Sequence, residues 1–112
     1  MIDALVKQVF KDADDAHREH LLTRSYAQHV ALGDFYEGAR GALDSIAEAY
    51  IALGMDLPSD LKGSPLKQLE DSYVELEGMK EEICKGICTL ENLYDELTAV
   101  YLSAIYKLKR LS

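Results

Sequence analysis

The sequence predicts an all-α protein, built as an antiparallel bundle of four helices. Apolar residues recur with a helical period almost from one end of the chain to the other. The joints between the four amphipathic stretches are mostly short, and short joints favour antiparallel neighbours. At 112 residues the chain is long enough for one hydrophobic core and too short for two. We therefore expect residues 1–112 to form a single four-helix domain.

The first predicted helix carries an apolar stripe that includes two histidines. His17 and His20 fall inside this stripe, so we expect their imidazoles to point inward. Thr23 and Ser25 then supply hydroxyls that can cap a helix, which predicts a tight turn at residues 23–25. The apolar members of the stripe are Ile2, Leu5, Val6, Val9, Phe10, Ala13, Ala16 and Leu21.

The second predicted helix begins at Tyr26 and ends near Gly54, where a segment rich in proline and glycine follows. In that segment Ser64 stands before Pro65, as a capping residue stands before the first turn of a helix. The inner stripe of the second helix consists of Leu32, Phe35, Tyr36, Ala39, Leu43, Ile46 and Tyr50.

Two further stripes predict the third and fourth helices, with a break between them near residues 86–89. The third stripe consists of Leu66, Leu69, Tyr73, Leu76, Ile83 and Ile87. The fourth consists of Leu90, Leu93, Leu97, Val100, Ala104, Leu108 and Leu111.

The charge balance argues against a nucleic-acid or membrane-surface role. The chain has 12 Lys and Arg against 20 Asp and Glu, a net charge of -8 that repels phosphates and anionic lipids. No apolar run approaches the roughly 20 residues that cross a bilayer. We expect a soluble cytoplasmic protein whose DNA binding is absent or weak. Cys84 and Cys88 lack the further ligands of a zinc site and are interpreted as two buried thiols.

All three histidines, His17, His20 and His29, lie in one short segment, "HREHLLTRSYAQHV". At 100° per residue, one sector of the second helix holds Gly33, Glu37, Asp44 and Glu48. Gly33, Gly38 and Gly41 are poor helix formers, and close approach of another helix would explain them.

Distance decides how the histidines and carboxylates can act together. Asp44 follows His29 by fifteen residues, about 22 Å along a helix, so one chain cannot bring both to one ion. Two copies that pair antiparallel across a two-fold axis would join the histidine end of one second helix to the Asp44 and Glu48 end of the other. His17 or His20 would join His29 there. Two imidazoles with two carboxylates suit iron, manganese or zinc.

The spacing of these residues resembles that of the mini-ferritins, also called DNA-binding proteins from starved cells. His17, His29, Asp44 and Glu48 fall on the ligand spacing of that family, and "LDSIAEAYIALG" is similar to its L-D-x-x-A-E-R-x-x-x-L-G segment. Gly33 stands where the family has a further aspartate, and Glu37, one turn later, is the carboxylate that can substitute. The segment from His17 to Tyr50 is also similar to uncharacterised ferritin-like proteins of phages and large viruses, whose histidines match His17, His20 and His29.

The resemblance implies a ferritin-like four-helix bundle that binds iron at an inter-subunit site and oxidises Fe(II), which would make it a ferroxidase-type oxidoreductase. It also implies a homo-oligomer, from a dimer up to a shell of twelve. A second interpretation stays open, in which the chain is a non-enzymatic phage-type helical bundle whose histidines are structural. Asp44 and Glu48 would then belong to a solvated face.

Overall fold

A computed structural model of the chain describes residues 1–58 and 63–110. Four helices account for most of these residues: α1 (Ile2–Leu22), α2 (Tyr26–Ala52), α3 (Pro65–Cys84) and α4 (Cys88–Arg110). Neither range contains a strand, which confirms the all-α prediction. Leu111, expected at the end of the fourth stripe, lies outside the described residues.

The helices pack in sequential pairs. The chain divides into two compact units between residues 62 and 63, with α1 packed on α2 in the first and α3 packed on α4 in the second. We call these units the N-terminal hairpin and the C-terminal hairpin. That all four helices form one domain stays a prediction. Within the described ranges, none of the helices is both long enough and apolar enough to cross a bilayer.

The turn of the N-terminal hairpin forms where the sequence predicts it. The Ser25 hydroxyl accepts a hydrogen bond from the Gln28 N–H at 3.2 Å and so caps α2. The Ser25 N–H in turn donates to the Thr23 hydroxyl at 3.2 Å. At the other end of α2, Gly54 has a φ of 89°, a left-handed conformation that ends the helix at the predicted place.

The core of the N-terminal hairpin is small. Val6 and Ala13 on α1 and Leu43 on α2 are buried. Phe10, which the sequence places on the same inner stripe, is 53% exposed, and Leu21 is 73% exposed. Each helix has only one partner inside the hairpin, so the apolar stripe is wider than the contact that the hairpin itself makes.

The C-terminal hairpin begins with Pro65 in the first turn of α3, preceded by Ser64 at the capping position without a side-chain hydrogen bond. α3 ends at Cys84 because the backbone becomes left-handed at Lys85 and Gly86, with φ values of 53° and 72°. Ile87, expected on the third stripe, therefore lies in the turn.

Polar contacts join α3 to α4 close to this turn. The Tyr94 hydroxyl donates to the Leu76 carbonyl at 2.5 Å, and burial raises the pKa of that phenol above its ordinary value. Lys80 Nζ lies 2.7 Å from Asp95 Oδ1, and this hydrogen bond raises the pKa of the ammonium. Around these contacts the buried residues of the hairpin are Cys84, Tyr94, Thr98 and Ile105.

The two cysteines have different environments. Cys84 is buried with 1% of its surface exposed, as predicted, but Cys88 is exposed. The prediction of two buried thiols is therefore wrong for Cys88. Cys84 is the last residue of α3, whereas Cys88 is the first residue of α4, beyond the turn at residues 85–87.

Candidate metal centre at the α1–α2 turn

The turn at residues 23–25 brings the three histidines together. His17 and His20 lie near the end of α1, and His29 lies in the first turn of α2. A three-residue turn places the helices antiparallel, so that residue 20 faces residue 29. His17 and His20 are half-buried and His29 is exposed. The cluster is therefore accessible to a small ion from solvent.

His20 and His29 are tied by a reciprocal pair of hydrogen bonds. His20 Nδ1 lies 2.6 Å from the His29 carbonyl oxygen, and His29 Nδ1 lies 2.9 Å from the His20 carbonyl oxygen. A carbonyl oxygen only accepts, so Nδ1 carries the proton and donates in both rings. The His20 carbonyl lies in the last turn of α1, where carbonyls lack helical partners, and the bond from His29 supplies one.

The rings around this pair form a compact aromatic cluster. The His20 and His29 rings are stacked, with centroids 3.6 Å apart and planes 20° apart. The His17 ring is stacked on Tyr36 at 4.1 Å and 16°. His17 and His20 meet edge to face at 6.0 Å and 64°, and Arg40 Cζ lies 5.7 Å from the centre of the Tyr36 ring.

Gly33 belongs to the same cluster for a steric reason. A Cβ on residue 33 would lie 3.2 Å from His20 Cε1 and 3.3 Å from His20 Nδ1, closer than ordinary van der Waals contact. A partner helix is therefore not needed to explain Gly33, which corrects that part of the sequence interpretation. A Cβ on Gly38 or Gly41 would meet no atom within 4 Å, so the described structure gives no reason for those two glycines.

Sequence reasoning missed how α2 completes the cluster. His29, Gly33, Tyr36 and Arg40 follow one another at helical spacings of four, three and four residues, which place them on one face of α2. That signal was available, but the same face also continues as the apolar stripe that packs on α1. The aromatic role of Tyr36 was therefore hidden within an ordinary core pattern.

The carboxylates of the sequence prediction lie elsewhere on α2. Glu37, Asp44 and Glu48 are exposed, and Asp44 follows His29 by fifteen residues, about 22 Å along the helix. Within residues 1–58 and 63–110, no three His, Cys, Asp or Glu side chains are placed to hold one ion. One copy of the chain thus brings the histidines together and leaves the carboxylates apart from them.

The donor chemistry of the histidines fits a first-row divalent ion in part. With Nδ1 protonated, a neutral imidazole presents the lone pair of Nε2, a common ligand of zinc, copper, iron and nickel. A stable site needs more donors than one or two imidazoles. The residues of one copy therefore fit a metal ion as an incomplete ligand set.

A protein-family model matches residues 20–108, most of the chain. The chain belongs to the DUF5856 family. DUF5856 is described as a family of unknown function. The DUF5856 match includes His20, His29 and the three carboxylates, while His17 lies just before it. No curated protein and no solved structure matches the chain.

Proposed function

We propose that the protein binds a divalent first-row metal ion, with iron as the expected ion, at a site that two copies of the chain complete. The observation that carries the proposal is the reciprocal pair of Nδ1 hydrogen bonds at His20 and His29. These bonds hold each neutral ring in the tautomer whose Nε2 lone pair is available. Metal-binding histidines commonly donate their other ring N–H to a carbonyl or a carboxylate in this way.

Asp44 and Glu48 are the proposed carboxylate ligands from the second copy. They are exposed and lie one turn apart on α2, so their carboxylates can reach one ion together. An antiparallel pair of α2 helices about a two-fold axis would give two equivalent sites, each with imidazoles from one copy and carboxylates from the other. Glu37, closer to the middle of α2, is the proposed replacement for the carboxylate missing at Gly33.

The resemblance to mini-ferritins extends the proposal to oxidation of the bound iron. Fe(II) would bind at the site and transfer one electron, with peroxide or dioxygen as the oxidant. One molecule of peroxide accepts one electron from each of two Fe(II) ions and, with two protons, is reduced to water. The ligands hold the ion, and the proposal needs no further catalytic side chain.

Mixing two inactive variants tests the shared site. His20→Ala and Glu48→Ala should each abolish tight binding of Fe(II) under anaerobic conditions, while circular dichroism shows that the helices remain. A mixed dimer carries both lesions at one site and none at the other, so subunit exchange should restore about a quarter of the wild-type sites. Metal loss in both variants without recovery on mixing would refute the two-fold arrangement.

The alternative is a non-enzymatic helical interaction protein in which the histidines only stabilise the hairpin. The contact of the His20 ring with Gly33 favours this function, because such fitted packing is also what a structural histidine makes. It predicts that wild type and Glu48→Ala bind equally little Fe(II), and that His20→Ala changes stability alone. Metal analysis of the protein peak after size-exclusion chromatography separates the two functions.

A further inference from the structure

The orientations of the ring planes decide which histidines can share an ion. A metal ion bound through Nε2 lies near the plane of the imidazole, about 2.1 Å from the nitrogen. An ion shared by two histidines must therefore lie near both ring planes at once. The condition separates the two histidine pairs whose rings are in contact, His20–His29 and His17–His20.

His20 and His29 do not meet the condition. Their planes are 20° apart with the centroids separated by 3.6 Å, so the planes intersect only about 10 Å away, far beyond a bond of about 2.1 Å. One ring would have to rotate before both could bind the same ion. That rotation would break the Nδ1 hydrogen bond of the rotated ring.

The condition leaves His17 and His20 as the remaining pair in ring contact. Their planes are steeply inclined, at 64°, and their centroids are 6.0 Å apart, so a point near both planes can lie close to the rings. Two imidazoles that share an ion hold their centroids about 5 Å apart at a tetrahedral angle and at most about 6.4 Å apart. The two residues are three positions apart on α1, which places them on the same side of the helix.

Contacts with α2 hold the His17 and His20 rings in place. Tyr36 stacks on His17 and fixes the plane of that ring. His29 stacks on His20, and the backbone carbonyl of His29 fixes the tautomer of His20. The two candidate ligands are thus each held by an aromatic partner on α2.

We propose that His17 and His20 bind the same metal ion and that His29 is a positioning residue, which binds no metal and holds His20 in place. The inference rests on the proposed function and refines it, because the imidazole pair of that site becomes His17 and His20, and the bond from His29 Nδ1 to the His20 carbonyl then serves to hold the hairpin closed. A pair of imidazoles favours the borderline ions Zn²⁺, Ni²⁺ and Cu²⁺ over harder cations such as Mg²⁺ and Ca²⁺.

Electron paramagnetic resonance of Cu²⁺ bound to the full-length chain tests this assignment by counting imidazole nitrogens. The variants are His17→Phe, which keeps a ring on Tyr36, and His29→Phe, which keeps a ring on His20. We expect two imidazole nitrogens in the wild type and in His29→Phe, and one in His17→Phe. Loss of a nitrogen in His29→Phe, with two retained in His17→Phe, would overturn the assignment, as would fewer than two in the wild type.

Affinity for Zn²⁺, measured by calorimetry, adds a readout of positioning. His29→Ala should weaken binding by about 10- to 100-fold, and His29→Phe should recover most of that loss because it restores the stacking. If His29→Phe binds as weakly as His29→Ala, stacking does not position His20 and the role given to His29 is wrong.

Glu48→Ala separates this inference from the proposed function. If that variant keeps the wild-type affinity for Fe(II) while His17→Phe loses one nitrogen, the shared site between copies fails and the imidazole pair stands. If Glu48→Ala abolishes binding and His29→Phe also loses a nitrogen, the shared site stands and the pair is wrong.

Discussion

The two hairpins are closed near their turns by different chemistry. In the C-terminal hairpin a tyrosine hydroxyl bonds to the Leu76 carbonyl and Lys80 pairs with Asp95, close to a buried cysteine. In the N-terminal hairpin the corresponding place holds two stacked imidazoles, each bonded to the backbone of the other's residue. One hairpin uses contacts common in any helical protein, and the other uses ionisable rings.

The two hairpins differ in which side-chain atoms their closing contacts use. The Tyr94 hydroxyl and the Lys80 ammonium each form a hydrogen bond to α4 or α3 across the hairpin, and this contact is the role that the structure gives them. The hydrogen bonds described for His20 and His29 engage Nδ1 alone, so the second nitrogen of each ring is not needed to close the hairpin. Substitutions in the two hairpins can therefore measure how much of the histidine cluster is structural.

His20→Ala should have the largest effect on stability. It removes the hydrogen bond from His20 Nδ1 to the His29 carbonyl, together with the stacking on His29, and should lower the free energy of unfolding of the N-terminal hairpin by about 1–3 kcal/mol. Native-state hydrogen exchange measures the loss of stability separately in each hairpin. Protection of the backbone amides should fall in α1 and α2 and stay unchanged in α3 and α4. An equal fall in all four helices would contradict the prediction that His20 stabilises the N-terminal hairpin alone.

Gly33→Ala should have the second largest effect on stability. Gly78→Ala in α3 is its matched control. A Cβ on Gly78 meets no atom within 4 Å, so this change should stabilise its helix by up to about 1 kcal/mol through helix propensity. Gly33→Ala should fall short of that gain by about 1 kcal/mol or more, because the new methyl group displaces a ring held by its Nδ1 hydrogen bond.

A double-mutant cycle sharpens the Gly33 test. In a His20→Ala background the ring is gone, and Gly33→Ala should then be as stabilising as Gly78→Ala in urea denaturation. If the two alanines already stabilise the wild type equally, the ring gives way freely and Gly33 has no steric role.

Tyr94→Phe should lower the Tm by a few degrees, because the Leu76 carbonyl loses a hydrogen bond. Tyr94 also predicts a pH dependence. Its pKa is raised in the folded state, first by burial, so its contribution is complete below the ordinary value near 10 and is lost as the pH rises through the folded pKa. Thermal melts between about pH 9 and 11 should show a smaller alkaline loss of Tm in Tyr94→Phe. An equal loss in both proteins would show that another group is responsible.

Lys80→Met should have the smallest effect, since it keeps the methylenes and removes only the charge that pairs with Asp95. Because Asp95 is more than half exposed, salt screens the pair. The difference from wild type should shrink between about 0.1 M and 1 M NaCl. A difference that grows with salt would show that packing, and not the ion pair, is what the lysine contributes.

Helix ends were the most predictable part of the fold. The signals that begin or end a helix affect only the backbone of the next few residues, so their effect can be deduced from the sequence alone. Examples are Ser25 before α2, Gly54 after α2 and Pro65 in the first turn of α3. The sequence predicted a break near residues 86–89, but it did not reveal which of the residues there are buried, and so the exposure of Cys88 was missed.

The candidate site was predictable as a set of residues but not as an arrangement. The pattern placed His17 and His20 on the inner face of α1 and His29 in the first turn of α2, on either side of the connecting turn at residues 23–25. It did not reveal that His29 stacks on His20 while His17 stacks on Tyr36, because ring orientation depends on rotamers and on how closely two helices approach. The close approach of the His20 ring to Gly33 could not be predicted for the same reason, since it depends on a contact between helices.

The reciprocal bonds between His20 and His29 also bear on how the chain folds. They close a loop of only nine residues, for which the entropy of closure is small, and loops of about this size close within roughly 10–100 ns. Helices form more slowly, on a scale of about 0.1–1 μs. We therefore expect the two imidazoles to meet as soon as the adjoining helical turns exist, early in the folding of the N-terminal hairpin.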